Sequence, residues 1–381
     1  MEKPFIYGKL AIGSDFTDRK MEVSRLRQNF QSGVNTILIS PRRWGKTSLV
    51  YRVAKGVKQS NKDIRFCFLD LYNIRTEQEF YEQYARVLIE ASAGKWEERI
   101  KNAGDFFKKL IPKFSFSPDA NSEFSLKLEW EEVKKFGAEI LDLPETIYKK
   151  KGWRFVICID EFQNISHYDD PKGFQKKLRS NWQKHAHTTY CLYGSQRHML
   201  MEFFSNPSMP FYRFGDIVFL DRISKKDWVI FIVKRFKDSG KVITKEQSEI
   251  IIDAVERHSY YVQQYAQAVW FRTEKKCDDK TISETLETLL DQHSILYLRE
   301  IDQLSNSQIN LLHALCDNVQ ALSGAATLRT YRLNSSALVT KSKRALEKKE
   351  IIDTAGEELL FIDPLFKLWL KRRYFTNHKP V

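Results

Sequence analysis

Residues 40–48 read Ser-Pro-Arg-Arg-Trp-Gly-Lys-Thr-Ser. They satisfy the phosphate-loop pattern G-x-x-x-x-G-K-[ST] everywhere except its first position, where Ser40 replaces glycine. The later positions carry the chemistry. Backbone N–H groups from Trp44 to Ser48, at the positive end of a helix, are placed to cradle a β-phosphate. Gly45 lets the backbone approach without a Cβ in the way. Lys46 is the expected partner of the β- and γ-phosphates, and the Thr47 hydroxyl an expected Mg2+ ligand. Pro41, Arg42 and Arg43 complete the loop and count with it as nucleotide-binding residues. Ser40 fits if its backbone is extended, and the following proline biases it that way.

A second stretch, "FVICIDEFQ" (155–163), is an apolar run ending in two carboxylates. Phosphoryl transfer needs one carboxylate near the metal and another to orient water, both at the carboxyl edge of a strand. Asp160 fits the first role and Glu161 the second, although acidic residues also favour helix starts. "YGSQRHML" (193–200) places Ser195 and Gln196 where a polar group would sense the γ-phosphate; serine equally caps helices. Arg213, in "YRFG" before the last strand-like run, is a further candidate for a phosphate contact. A guanine reader of the form Asn-Lys-x-Asp is absent, and the nearest string, "NKDI" (61–64), has its aspartate one place early. ATP with Mg2+ is therefore the expected ligand pair, as ATP or its product ADP.

These residues need a sheet to hold them. Short apolar runs at 35–40, 64–71, 153–160, 188–194 and 216–220 alternate with helical patterns, which predicts an α/β fold with five parallel strands between helices. Met21, Leu26 and Phe30 predict an amphipathic helix before the first strand. The stretch "KFSFSPDANSEFSLKLEW" alternates about a turn and predicts an inserted hairpin within 112–130. The organisation expected is a core over 1–222, with inserted helices and hairpin at about 73–150, a helical lid over 223–304 and a third domain over 305–381.

That last segment begins with a helix capped by Ser305, with Ile309, Leu312, Leu315 and Cys316 inward. A second helix follows with Leu338, Ser342, Ala345 and Leu346 on one face and Lys341, Arg344 and Lys348 on another. Two short extended pieces about a glycine come next. Helix, helix and hairpin in that order read as a winged helix, whose basic helix serves either a DNA groove or protein docking.

Bulk composition agrees. The 381 residues carry 62 Lys+Arg against 49 Asp+Glu, a net charge of +13 that favours polyanionic partners. No apolar run approaches the roughly 20 residues of a membrane helix. The beginning "MEKPFIYGKL" lacks a signal-peptide pattern. Five cysteines without ligand spacing suit buried thiols in a reducing cytoplasmic compartment. No membrane partner is expected, and an oligomer is compatible with everything above.

Taken together, the chain resembles the archaeal-type ATPases of the STAND branch of AAA+ P-loop NTPases. "FTDRKMEVSRL" is similar to the N-terminal motif of that family, "SPRRWGKTSL" to its Walker A loop, and "ICIDEFQ" to its Walker B strand. "YGSQRHML" matches its Gly-Ser strand end, and "DPLFKLWLKRR" the terminus of its winged helix. The sequence departs at "YRFG", where Gly-Arg is usual, and at "HSYYVQ", where Ser259 replaces a proline. The resemblance implies an ATP-driven switch in which nucleotide state controls lid and winged helix, with Lys46, Glu161, Ser195 and Arg213 as catalytic residues. The competing expectation is a nucleic-acid-binding regulator with a slow or inactive nucleotide site; a third is an interaction scaffold.

Overall fold

The computed structural model of the protein describes residues 4–92, 114–118, 124–128, 130–355 and 358–376. Residues Arg19–Asp221 form one compact unit, and the described residues before and after them form another.

The first unit is built on five parallel strands, β1 (Thr36–Ile39), β2 (Ile64–Asp70), β5 (Arg154–Asp160), β6 (Thr188–Gly194) and β7 (Asp216–Phe219). Their order across the sheet is β2-β5-β6-β1-β7. The expected five-stranded parallel sheet is thus present. β1 and β6 are buried along their whole length, because each lies between neighbours and under helices on both faces. Strand alternation sorts the side chains. Ile37, Ile39, Leu69, Ile157, Ile159 and Leu192 point into a core shared with Phe80, Tyr84, Phe174, Trp182, Leu200 and Phe204 of the helices on that face. On the opposite face lie helices α1 (Lys20–Ser32) and α2 (Lys46–Ser60), with Phe30 edge-on to Phe66 at 5.6 Å.

α1 corrects one sequence expectation. It buries Leu26, Asn29 and Phe30, whereas Met21 is 84% exposed. Met21 lies five residues before Leu26, nearly half a turn off the buried stripe; Val23, at spacing three, is the residue that approaches it. The amino end of the sheet is fastened by Asp216. It accepts from Arg25 Nε at 2.8 Å and from Asn29 Nδ2 at 2.8 Å, while Asn29 also donates to Thr36 Oγ1 at 3.1 Å. The hairpin expected within 112–130 is found as β3 (Phe114–Pro118) paired antiparallel with β4 (Phe124–Leu128). The centre of its "PDANS" turn lies outside the described residues.

The second unit is helical. Helices Lys225–Asp238, Lys245–Ala254, Ser259–Arg272 and Asp279–Asp302 come first. Asn306–Cys316, Ala325–Thr330 and Ser336–Lys348 follow, then the antiparallel pair β8 (Ile352–Ala355) and β9 (Glu358–Phe361) and helix Pro364–Trp369. One apolar cluster runs through the unit from Phe5 and Trp228 to Phe366 and Leu370. Phe5 and Ile6 are tied to it by backbone N–H bonds to Gln267 and Gln263 at 3.2 and 3.1 Å. Cys277 precedes helix Asp279–Asp302, its N–H donating to Val242 O at 2.8 Å. All five cysteines are buried and free, as expected.

Asp363 joins three elements of this unit. One carboxylate oxygen caps helix Pro364–Trp369 through the N–H groups of Leu365 and Phe366, at 2.9 and 3.0 Å. The other accepts from the hydroxyls of Tyr261 and Tyr297. Losing a cap costs about 1 kcal/mol, and losing a hydrogen bond to a charged acceptor about 1.5–3 kcal/mol. Asp363→Ala is therefore expected to destabilise this unit by about 4 kcal/mol or more, and Tyr297→Phe by about 1.5 kcal/mol. Urea unfolding of the purified variants measures both; equal midpoints for Asp363→Ala and the parent chain would show that the aspartate joins nothing of consequence.

Candidate functional site

The loop between β1 and α2 supplies the first half of the site. Ser40 is buried and absent from the residues with positive φ, so the backbone there makes no demand for glycine. Two later positions do turn left-handed, Arg43 at φ 65° and Gly45 at φ 90°. For glycine that conformation is free; for arginine it costs of order 1–3 kcal/mol. Left-handed residues on either side of Trp44 turn the loop backbone sharply, a feature of anion-binding nests. No side chain caps α2. Other helices of the chain are capped by Thr76, Asp170, Ser224, Thr244, Asp278 and Ser335. The positive end of the α2 dipole therefore faces the loop.

Lys46 is 6% exposed, and its ammonium donates to the carbonyls of Ser40 and Pro41, each at 3.2 Å. Pro41 has no N–H to offer and enters through its carbonyl. Arg42 and Arg43 are exposed, and Ser48 is buried in the first turn of α2.

The carboxylates come from β5, two strands away. β6 lies between, because β1 pairs with β6 and β6 with β5. Register places Ile39 opposite Gly194 and Ile159 opposite Leu192. Asp160 therefore ends level with Tyr193, and Glu161 with Gly194, at the same carboxyl edge as the loop. Thr47 Oγ1 donates to Asp160 Oδ2 at 2.8 Å, and the Glu161 N–H donates to Asp160 Oδ1 at 2.8 Å. Burial pushes the Asp160 carboxyl up to about 6, with the neighbouring charge of Glu161 adding to it; Thr47 and Lys46 pull the other way.

Glu161 adopts φ 49°, a left-handed conformation for a non-glycine residue. Its Oε2 accepts from the Ser195 N–H at 3.2 Å and the Ser195 hydroxyl at 3.0 Å. Ser195 thus bonds the carboxylate rather than capping the helix that follows, and Gln196 takes the N-cap position without a side-chain bond. Hydroxyl and carboxylate oxygens on Thr47 and Asp160 are hard donors of the kind Mg2+ takes, and one or two protein ligands suffice when phosphate supplies the rest. Among the described residues no cluster of three or more His, Cys, Asp or Glu side chains forms a separate metal cage.

Lys46, Thr47, Asp160, Glu161 and Ser195 are therefore brought together, with Pro41–Ser48 around them. Arg213 is not. It stands before β7, whose first residue Asp216 pairs with Thr36 at the start of β1, the opposite edge of the sheet from the loop. It is exposed, its guanidinium 5.1 Å from the Tyr212 ring centre. Parallel strands put their amino ends together, which decides the matter.

Two arginines escaped the sequence reading. Arg19 is 4% exposed, and its guanidinium donates to Asp221 O and, at 3.4 Å, to the carbonyl of Trp44 within the loop. Arg197 lies 5.2 Å from the ring centre of Phe219, the register partner of Ile39. Nothing in residue type separates these from the many solvated arginines of a basic chain.

A carboxyl that binds its proton more tightly when folded than unfolded penalises the folded state once it ionises. For Asp160 that cost is absent below about pH 4 and complete above about pH 6, reaching about 3 kcal/mol. Asp160→Asn removes it. The variant is expected to melt higher than the parent at pH 7.5, the difference shrinking towards pH 4.5. A pH-independent difference in paired thermal melts would contradict this.

Residues 281–372 match a family described as "Probable winged helix domain". No curated protein matches the sequence. Among solved structures, the chain is similar to a Walker-type ATPase of Pyrococcus abyssi at 17% identity and TM-score 0.65, covering 97% of this chain and 99% of that one. It is also similar to the Aeropyrum pernix ORC1 protein in complex with DNA, at 11% identity, TM-score 0.50 and 99% of each chain. The Aeropyrum pernix ORC2 protein in its ADP form is similar at 13% identity, TM-score 0.50 and 93% of each chain. At these identities the likeness is one of fold: this chain has the fold of an archaeal-type P-loop ATPase with a C-terminal winged helix.

Proposed function

We propose that the protein binds ATP with Mg2+ and hydrolyses it, as a switch of the AAA+/STAND type. The observation that carries this is the 2.8 Å bond between Thr47 and Asp160, with Glu161 held by Ser195 beside them. Loop, metal-binding oxygens and a second carboxylate meet at one sheet edge.

In this reading Trp44–Ser48 and Lys46 hold the phosphates, and Thr47 and Asp160 hold the metal. Bound Mg2+ supplies neutralisation of charge on the β- and γ-phosphate oxygens. Glu161 orients the attacking water and accepts its proton, and Ser195 fixes the carboxylate that does so. ATP is preferred to GTP because no Asn-Lys-x-Asp reader is present. Within one chain Arg213 does not reach the loop, so a catalytic role for it requires a second copy. We read residues 223–304 as the lid and 305–381 as the winged helix that respond to nucleotide, in a cytoplasmic setting.

Glu161→Gln is expected to keep ATP binding while losing at least about 100-fold in turnover, whereas Lys46→Ala loses nucleotide binding itself. Isothermal titration together with phosphate release separates the two. Lys46→Ala binding ATP normally would defeat the reading.

A second reading rests on helix Ser336–Lys348. Lys341, Arg344 and Lys348 are exposed there and make no ion pair among the described residues, while Val339, Ser342 and Leu346 pack inward. The similarly folded ORC1 protein is seen in complex with DNA. If this helix contacts duplex phosphates, Lys341→Ala and Arg344→Ala should each weaken binding across sequences and lower the salt slope by about 1. Fluorescence anisotropy over a salt series tests this, and absence of duplex binding at low salt would leave protein docking as the role of the helix.

A further inference from the structure

We propose that Gln163 is a positioning residue for Glu161 and that Gly194 is glycine to make room for it. The inference rests on the ATPase reading above and extends it to two residues given no role there.

Gln163 follows Glu161 by two positions, in the short 3-10 turn Phe162–His167. The turn is anchored by Phe162, fully buried and edge-on to Phe211 at 5.3 Å. Gln163 itself is only 2% exposed. Its Nε2 donates to Glu161 Oε2, the oxygen that also accepts both Ser195 bonds. Three donors on one oxygen leave Oε1 as the free end of the carboxylate, pointing its remaining lone pairs away from the clamp.

The orientation of the amide follows from chemistry. A carboxylate only accepts, so the NH2 end must face it. The amide oxygen then faces the other way, buried without a hydrogen-bond partner among the described residues. A stranded acceptor is unfavourable, and an apolar side chain of equal length would avoid it. What the amide gives in return is the N–H on Glu161.

Gly194 completes the arrangement. It is not among the glycines with positive φ, so backbone freedom is not its reason. A Cβ there would lie 2.0 Å from Gln163 Oε1 and 3.1 Å from its Cδ. Any other residue at 194 would push the amide out and release Glu161 from one of its three donors. The Gly-Ser at the end of β6 thus has two jobs: the serine clamps Glu161 directly, and the glycine admits the second clamp.

The test compares the parent chain with Gln163→Met, which keeps the side-chain length and removes the donor, with Gly194→Ala, and with the double variant. ATP turnover and nucleotide Kd are measured for each. We expect each single variant to lose between about ten- and hundred-fold in kcat, as for a displaced catalytic group, with Kd and KM within about two-fold. The double variant should lose no more than either single one, because both act through the same amide. Full turnover in Gln163→Met, or losses that multiply in the double variant, would overturn the proposal while leaving the ATPase reading intact. A parent chain that binds ATP but never hydrolyses it would overturn both.

Discussion

The hydrogen bond from Thr47 to Asp160 sets the terms for the rest of the structure. It joins the first turn of α2 to the end of β5 across the intervening strand β6. That order brings Gly194 and Ser195 to the centre of the site. The site is therefore a property of strand order before it is a property of any motif.

Holding this arrangement is costly, and the costs gather at the site. Arg43 and Glu161 are non-glycine residues in left-handed conformations. Asp160 is buried beside another carboxylate, and Lys46 is buried as well. Such features persist where the surrounding structure over-determines them. Here the surroundings are rigid: β1, β5 and β6 are sealed on both faces, and Trp182, stacked on Tyr190 at 4.1 Å, packs the core beneath. The far edge is fastened by Asp216 with Arg25 and Asn29, so the carboxyl edge can carry strain without the sheet yielding.

Much of the fold was legible because its elements are written in local patterns. All five strands are short apolar runs between polar turns, and each was recognised as such. The winged-helix order followed from amphipathic stretches and a glycine between two extended pieces. The site was legible to the extent that its members belong to contiguous motifs, as Lys46 and Thr47 or Asp160 and Glu161 do. Where periodicity was stretched too far, at Met21, the residue proved to be off the buried stripe. Arg213 illustrates the other limit: five parallel strands were expected, but that direction was not followed to the residue before β7, which it places at the edge opposite the loop.

The sequence by itself determined which chemistry is available: a phosphate loop, two carboxylates at a strand end, and a serine at another. Residue types and short spacings suffice for that, since each motif is built within a single turn. Tertiary structure decided how those groups meet. Ser195 faces Glu161 rather than a helix end, Gln163 lies over Gly194, and Arg19 reaches the carbonyl of Trp44. The serine and arginine contacts span 34 and 25 residues. No local pattern encodes them, because strand order and register are set by the packing of the whole sheet.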